Sequence, residues 1–402
     1  MVVCFSFLVQ LDLSMINHIR VPPRILESST YFMSSSVTMQ PTILVTGASG
    51  RIGKEILVQL LEHYTKVSSA ATIVGVVRNE QRAQEVKSYL QQRVPAMFSS
   101  GGENKSTKSG KQVQFEIDFC DVSLQSDVLT LAKKWQDRPL HVLINNAAVT
   151  PEEQKFTKEN IDLQFATNVL GYHWMIKAFE PNLLLGSSTA SGSSSGEAVE
   201  SRIVNVASFY AGELDVSDPE FRKREYDVDS SYRASKQANR MQSRGFADLF
   251  ANEGKKIICN AVHPGIATSK VSLGLGFDLD RSQAAAEDCA RGPVRLAVDS
   301  GEKRSGKYFE GDSKKPSRCK WQEDSQKVGE LLDLCESYCS GFSTTVSSRR
   351  PGGALANVAA TSARGSSVST PTRGEVVGKV NKAANVCGKD EAAGRRARSR
   401  SR

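Results

Sequence analysis

The chain has 402 residues, 39% of them hydrophobic and 24% charged, with a formal net charge of +8. This length exceeds one ordinary catalytic domain, and the composition suits a globular core with polar appendages, not a membrane bundle or a wholly disordered chain. Eight Cys, scattered apart from Cys335 and Cys339 and without a secretory signal, exclude a disulfide scaffold, and five dispersed His offer no metal-ligand spacing, so no metal is expected.

Residues 1–40 read as an N-terminal extension, poorly ordered or targeting. Val2 to Leu13 is apolar but interrupted by Gln10 and Asp12, well short of the roughly 20 residues that span a bilayer, so no transmembrane segment is expected. Arg20, Arg24 and the following serines resemble a transit segment, opposed by Asp12 and Glu27, and Met33 and Met39 are alternative starts. The expected location is cytoplasmic, with mitochondrial or plastid targeting as the alternative.

The apolar run Ile43 to Val45, then Gly47, Gly50 and Gly53, then an amphipathic pattern predict strand, tight turn and helix. Such a turn brings backbone amides and a helix N-terminus up to a pyrophosphate. A second apolar run, Ala71 to Val77, completes a βαβ unit and ends in Arg78. An acid there would accept the ribose hydroxyls of NAD, whereas a base pairs with the extra phosphate of NADP. Arg51 inside the turn adds a second positive charge. NADP(H) is therefore favoured over NAD(H), the competing reading being two ordinary surface arginines.

Further strand-like runs follow at Val113 to Ile117, His141 to Ile144, Arg202 to Val206 and Ile257 to Val262, each succeeded by a turn or helix signal. Strands alternating with helices predict an α/β fold: a Rossmann-type, doubly wound parallel sheet in a single catalytic domain, with its ligand at the carboxyl ends of the strands. Residues 98–111 and 186–201, rich in Gly and Ser, are expected to be mobile surface inserts. Tyr232 and Lys236 stand four residues apart in the opening turns of an expected helix, on one face. An ammonium beside a phenol stabilises the phenolate and brings tyrosine toward acid/base work near neutral pH. Residues 341–402 lack apolar periodicity and carry 12 Lys or Arg against 3 Asp or Glu, so the basic character of the chain belongs to this tail. The tail is expected to be disordered, either an inert extension or a binder of nucleic acid, acidic lipid or protein. No nucleic-acid partner is assigned.

Taken in order, Thr46, Gly47 and Gly53, Asn145 to Ala147, Asn168, Ser208, Tyr232 with Lys236, and Pro264 with Gly265 resemble the short-chain dehydrogenase/reductase family over residues 41–340. Leu163 to Phe165 with Asn168 and Gly171, the spacing from Ser208 to Tyr232, and Ser305 to Phe309 are similar to its retinol-dehydrogenase-like branch, which includes the WW-domain-containing oxidoreductase. The resemblance implies that Tyr232 is the acid/base, Lys236 lowers its pKa and grips the nicotinamide ribose, and Ser208 binds the substrate oxygen. Asn168 would kink its helix and hold a water of a proton relay. Gly47, Ser49, Arg51 and Ile52 would line the pyrophosphate, Asp121 (with Asp118 as rival) would approach the adenine, and Asn145 and Ala147 would support the adenosine side. Pro264, Gly265 and Ile266 would border the nicotinamide, with Thr268 or Ser269 as a further contact.

The sequence departs from the family pattern at Arg51, where glycine is usual, and at Ala148. The expected function is NADP-dependent hydride transfer to or from the carbonyl or alcohol carbon of a lipophilic small molecule, with Val271 to Arg281 as an apolar lid; a homodimer is compatible with it. The alternative is a catalytically silent NADP-binding sensor or scaffold acting through its basic tail.

Overall fold

The computed structural model describes residues 40–98, 112–189 and 200–341. The expected N-terminal extension apart from Gln40, the first insert apart from Phe98, residues 190–199 of the second insert, and the tail beyond Gly341 lie outside the described residues.

Seven strands form one sheet: β1 (Thr42–Val45), β2 (Ala71–Val77), β3 (Val113–Phe119), β4 (Val142–Asn145), β5 (Ser201–Val206), β6 (Ile257–His263) and β7 (Tyr308–Glu310). Their spatial order is β3-β2-β1-β4-β5-β6-β7 and every pairing is parallel. The registers are continuous, with Leu44 opposite Val74 on one side and Leu143 on the other. Every residue of β1, β2, β4 and β5 is buried. Sequences rich in Val and Ile, apolar on both faces, suit strands covered on both sides.

Two helical layers supply that cover. On one face α1 (Arg51–Lys66), α2 (Glu80–Arg93) and α8 (Gln283–Val298) bury Ile56, Leu60, Val86, Leu90 and Val294 against the sheet. On the other lie α3 (Gln125–Trp135), α5 (Gly171–Thr189), α6 (Val228–Asn252) and α10 (Ser325–Ser337), whose Trp135, Trp174, Phe179, Phe246 and Leu331 form the larger apolar cluster. Short helices α4 (Leu163–Phe165), α7 (Lys270–Gly274) and α9 (Lys320–Glu323) complete the set. This is the doubly wound architecture expected from the alternation of strand and helix signals.

The insert expected at 186–201 overlaps regular structure at both of its ends. α5 continues to Thr189 and β5 opens at Ser201. Gly186 serves a close approach, since a Cβ there would lie 2.1 Å from the Leu140 carbonyl oxygen. Ser201 Oγ donates to the Leu183 carbonyl at 2.7 Å.

Candidate active site

In a parallel sheet all carboxyl ends lie along one edge, and the strand order reverses between β1 and β4, opening a crevice there. Along this edge come Arg78 after β2, the glycine turn after β1, Asn146 and Ala147 after β4, Ser208 after β5, and Pro264 and Gly265 after β6. The glycine turn and Ser208 follow strands two places apart, about 10 Å at ordinary strand spacing.

The turn is shaped by close approach. Gly47 has φ +64°, and a Cβ on it would stand 2.7 Å from Cα of Ala147. A Cβ on Gly53 would stand 2.2 Å from the Gly47 carbonyl oxygen. Thr46 Oγ1 accepts from the N–H groups of Asn146 (2.9 Å) and Ala147 (3.2 Å), while Asn146 Nδ2 donates to the carbonyls of Thr46 (3.0 Å) and Gly47 (3.2 Å). Asn146 thus clasps the turn, a role the sequence reading missed although it adjoins Asn145. α1 opens at Gly50 without a side-chain cap, so its first-turn amides keep donors for an anionic ligand. Ser49 lies half-buried in the turn, and Ile52 packs beside Ala267 and Cys289. This cradle fits the pyrophosphate of a dinucleotide.

Several expected contacts lie elsewhere. The Arg51 guanidinium donates to the carbonyls of Thr268 (2.7 Å), Asp280 (3.4 Å), Arg281 (2.5 Å) and Ser282 (2.6 Å). It ties down the segment after Gly265, so its charge is engaged by backbone and not directed at a phosphate. Thr268 Oγ1 donates to Asp278 at 3.1 Å and Ser269 caps α7, so these hydroxyls are engaged by the loop's own folding. Asn145 is fully buried and its Nδ2 donates to Asn205 Oδ1 at 3.0 Å; its carboxamide belongs to the core and supports the groove only from behind. Asp118 accepts from Trp135 Nε1 (2.7 Å) and from Lys134, which leaves Asp121, held by Ser123 Oγ at 2.7 Å, as the acid at the edge. Arg78 is exposed directly after β2.

The other side of the crevice is α6. Asp227 caps it, accepting from Ser230 N at 2.9 Å. Its inner face carries Tyr232, Lys236, Asn239, Arg240 and Ser243, all buried. The Tyr232 phenol is a hydrogen-bond partner of the Ser208 side chain. Ser208 Oγ also accepts from Tyr210 N at 3.0 Å. Lys236 Nζ donates to the Val206 carbonyl at 2.9 Å and to Asn239 Oδ1 at 3.1 Å. Asn239 Nδ2 in turn donates to the Asn168 carbonyl at 2.6 Å. Asn168 sits in a π-helical turn, Ala166–Leu170, between α4 and α5, with its side chain clasping the backbone of Val149 at 2.9 and 3.0 Å. Asn168 thus lies in a widened helical turn, with its carbonyl accepting from the Asn239 carboxamide.

Electrostatics also differ from expectation. Burial pushes the Tyr232 phenol up to about 12, with the Ser208 hydrogen bond opposing it. Burial pushes the Lys236 ammonium down to about 7. The ammonium lies 5.8 Å from the Tyr232 ring centroid, and desolvation dominates the shift of the phenol.

At the mouth, exposed apolar side chains gather. Ile266 is 54% exposed, and Phe209 and Leu273 are each 45% exposed. Phe209 meets His263 edge-on with centroids 4.7 Å apart, and Tyr210 meets Phe277 likewise at 5.9 Å. Elsewhere, His173, Glu336 and Cys339 bring ligand atoms within 4.8 Å of one another, a grouping their sequence spacing hides. Lys177 pairs with Glu336 at 3.1 Å and sets a positive charge beside it. Among the described residues no helix is long and apolar enough to cross a membrane.

The model of a family described as short chain dehydrogenase matches residues 41–275. Mouse retinol dehydrogenase 13 is 25% identical over 315 residues, covering 72% of this chain and 84% of its own. Human polyprenol dehydrogenase is 27% identical over 230 residues, 57% of this chain and 61% of its own length, so the chain spans about three fifths of that relative. Among solved structures, an uncharacterised protein from Mycobacterium paratuberculosis superposes with a TM-score of 0.54 at 20% identity, covering 74% of this chain and 92% of that one. That likeness bears on the fold.

Proposed function

The chain belongs to the short-chain dehydrogenase family, and on that premise we propose that it is an NADP(H)-dependent oxidoreductase acting on the alcohol or carbonyl carbon of a lipophilic small molecule. The observation that carries this reading is the meeting, at one sheet edge, of the Tyr232–Ser208 pair and Lys236 with a turn whose glycines leave no room for a Cβ.

A bound nicotinamide dinucleotide supplies the hydride or accepts it. Backbone around Gly47, Ser49, Ile52 and Gly53 holds the pyrophosphate, and Arg78 pairs with the ribose phosphate. Asp121 approaches the adenine, Ala147 walls the groove, and Pro264, Gly265 and Ile266 border the nicotinamide. Tyr232 gives a proton to the substrate oxygen in reduction and takes one in oxidation. A phenol held near 12 keeps that proton at neutral pH, the form reduction requires. Ser208 donates to the same oxygen and stabilises charge developing there. In its ammonium form Lys236 has three N–H donors. Two are engaged by Val206 and Asn239, leaving one for a ribose hydroxyl.

The exposed Phe209, Ile266 and Leu273 support a lipophilic substrate. So do the names of the relatives, which carry the lipophilic alcohols retinol and polyprenol. Among the described residues six cysteines are free, which suits a reducing compartment.

The test is NADPH fluorescence titration combined with turnover of aliphatic and aromatic aldehydes. Tyr232→Phe is expected to leave NADPH affinity nearly unchanged and to cut turnover at least about a hundredfold. Wild-type turnover in that variant refutes the catalytic assignment, and NADPH binding without reduction of any aldehyde moves the reading to a sensor or scaffold. Arg78→Ser is expected to weaken NADPH relative to NADH about tenfold; an unchanged ratio removes Arg78 from the phosphate.

A further inference from the structure

Arg240 follows Lys236 by four residues on α6, so Tyr232, Lys236 and Arg240 stand one above another on a single helix face. Its side chain is 5% exposed. Nε donates to the Ser208 carbonyl at 3.1 Å, and Nη2 donates both to that oxygen and to the Tyr308 hydroxyl at 2.9 Å. The guanidinium lies 3.7 Å from the Tyr308 ring centroid and 5.2 Å from that of Trp321, and Nη1 is 4.0 Å from Cys319 Sγ. Among the described residues no carboxylate pairs with it.

A cation buried without an anion is costly, and an apolar side chain of similar volume commonly serves stability as well or better. Packing alone therefore does not account for an arginine here. Besides the Tyr308 hydroxyl and two aromatic rings, what the charge holds is one peptide group, that of Ser208, whose hydroxyl is the partner of the Tyr232 phenol. We propose that Arg240 is a positioning residue of the reaction: its forked, charge-assisted grip on the Ser208 carbonyl sets the peptide plane from which the Ser208 side chain rises, and so aims its hydroxyl at the substrate oxygen. This rests on the oxidoreductase reading. The same side chain joins the serine to the C-terminal segment through Tyr308 of β7 and Trp321 of α9, and the Arg240 carbonyl accepts from Gln322 Nε2 at 2.8 Å. Arg240 is thereby itself clamped, which a positioning group requires.

The experiment compares full-length wild type, Arg240→Met, Arg240→Lys and Tyr232→Phe, using NADPH and decanal. Arg240→Met is expected to lower kcat about tenfold or more while the KM for NADPH stays within about twofold, and Arg240→Lys to recover part of the loss. Unchanged kcat in Arg240→Met, or a parallel change in the NADPH KM, overturns the proposal. If Arg240→Met does not fold, Arg240→Lys decides: a lowered kcat at unaltered NADPH KM supports the role, and wild-type kcat overturns it. If wild type leaves decanal untouched, hydrogen exchange over residues 206–211 decides between wild type and the Lys variant. Faster exchange confined to that stretch supports the role, and identical exchange overturns it. Retained turnover in Tyr232→Phe brings down the functional reading itself. An inactive Tyr232→Phe beside a wild-type-like Arg240→Met brings down only the assignment of Arg240.

Discussion

The two walls of the crevice are made of different materials. On the β1 side, the groups that matter are backbone amides and carbonyls, brought together by glycines and fastened by the short side chains of Thr46 and Asn146. On the α6 side they are long polar side chains, Tyr232, Lys236, Asn239 and Arg240, buried along one helix face. On the proposed reading a phosphate is held there by close approach and outward-pointing donors, so space governs the first wall. On the same reading the second wall moves a proton, which depends on where each hydrogen points, so bonding partners govern it. Substitutions that add volume should therefore damage the first wall, and substitutions that remove partners the second.

The strongest test of this contrast adds one methyl group. Gly53→Ala places a Cβ 2.2 Å from the Gly47 carbonyl oxygen, which the turn cannot absorb without moving. NADPH affinity is expected to fall by at least about a hundredfold, read by fluorescence titration, because amides shifted by an ångström lose their anion. Retained affinity would mean that space does not govern this wall. A smaller effect is expected on the other side. Asn239→Ala removes the acceptor of Lys236 and the donor to Asn168 together, and turnover should fall about tenfold with NADPH affinity unaltered. A loss of affinity without loss of turnover would reverse the roles of the two walls. The smallest effect is one of pH on stability. Lys236 titrates near 10.5 when unfolded and about 7 when folded, so between those values the unfolded chain binds more protons and stability rises with pH. The rise is on the order of 1 kcal/mol per pH unit, and below about pH 7, where both states are protonated, it vanishes. In urea denaturation at pH 7.5 and 9 (about one and a half units apart, within the window), the stability of wild type relative to Lys236→Met should climb. Parallel behaviour would show that the ammonium is not desolvated as its surroundings imply.

Sequence patterning made much of the first wall legible. Apolar runs ending in glycine or asparagine announce buried parallel strands and their turns, and β2 spans the same Ala71 to Val77 in sequence and structure. β7 was not read as a strand, because three residues, Tyr308–Glu310, are too few to display a period. The spacing of Tyr232 and Lys236 carried the second wall only as far as the pair itself. Asn239 and Arg240 look like a solvated helix face, since nothing in spacing reveals that the fold brings Asn168 to the first and Ser208 and Tyr308 to the second. Arg51 misled for a related reason: a guanidinium in a phosphate turn suggests an anion, but its partners are carbonyls more than 200 residues away, joined by the fold alone.

That arrangement gives the covering loop a particular character. With four carbonyls from Thr268 to Ser282 gathered on one planar cation, the stretch cannot peel away residue by residue. It is expected to dock or detach as a unit, which hydrogen exchange over residues 268–282 would show as one shared opening rate and not a gradient of rates.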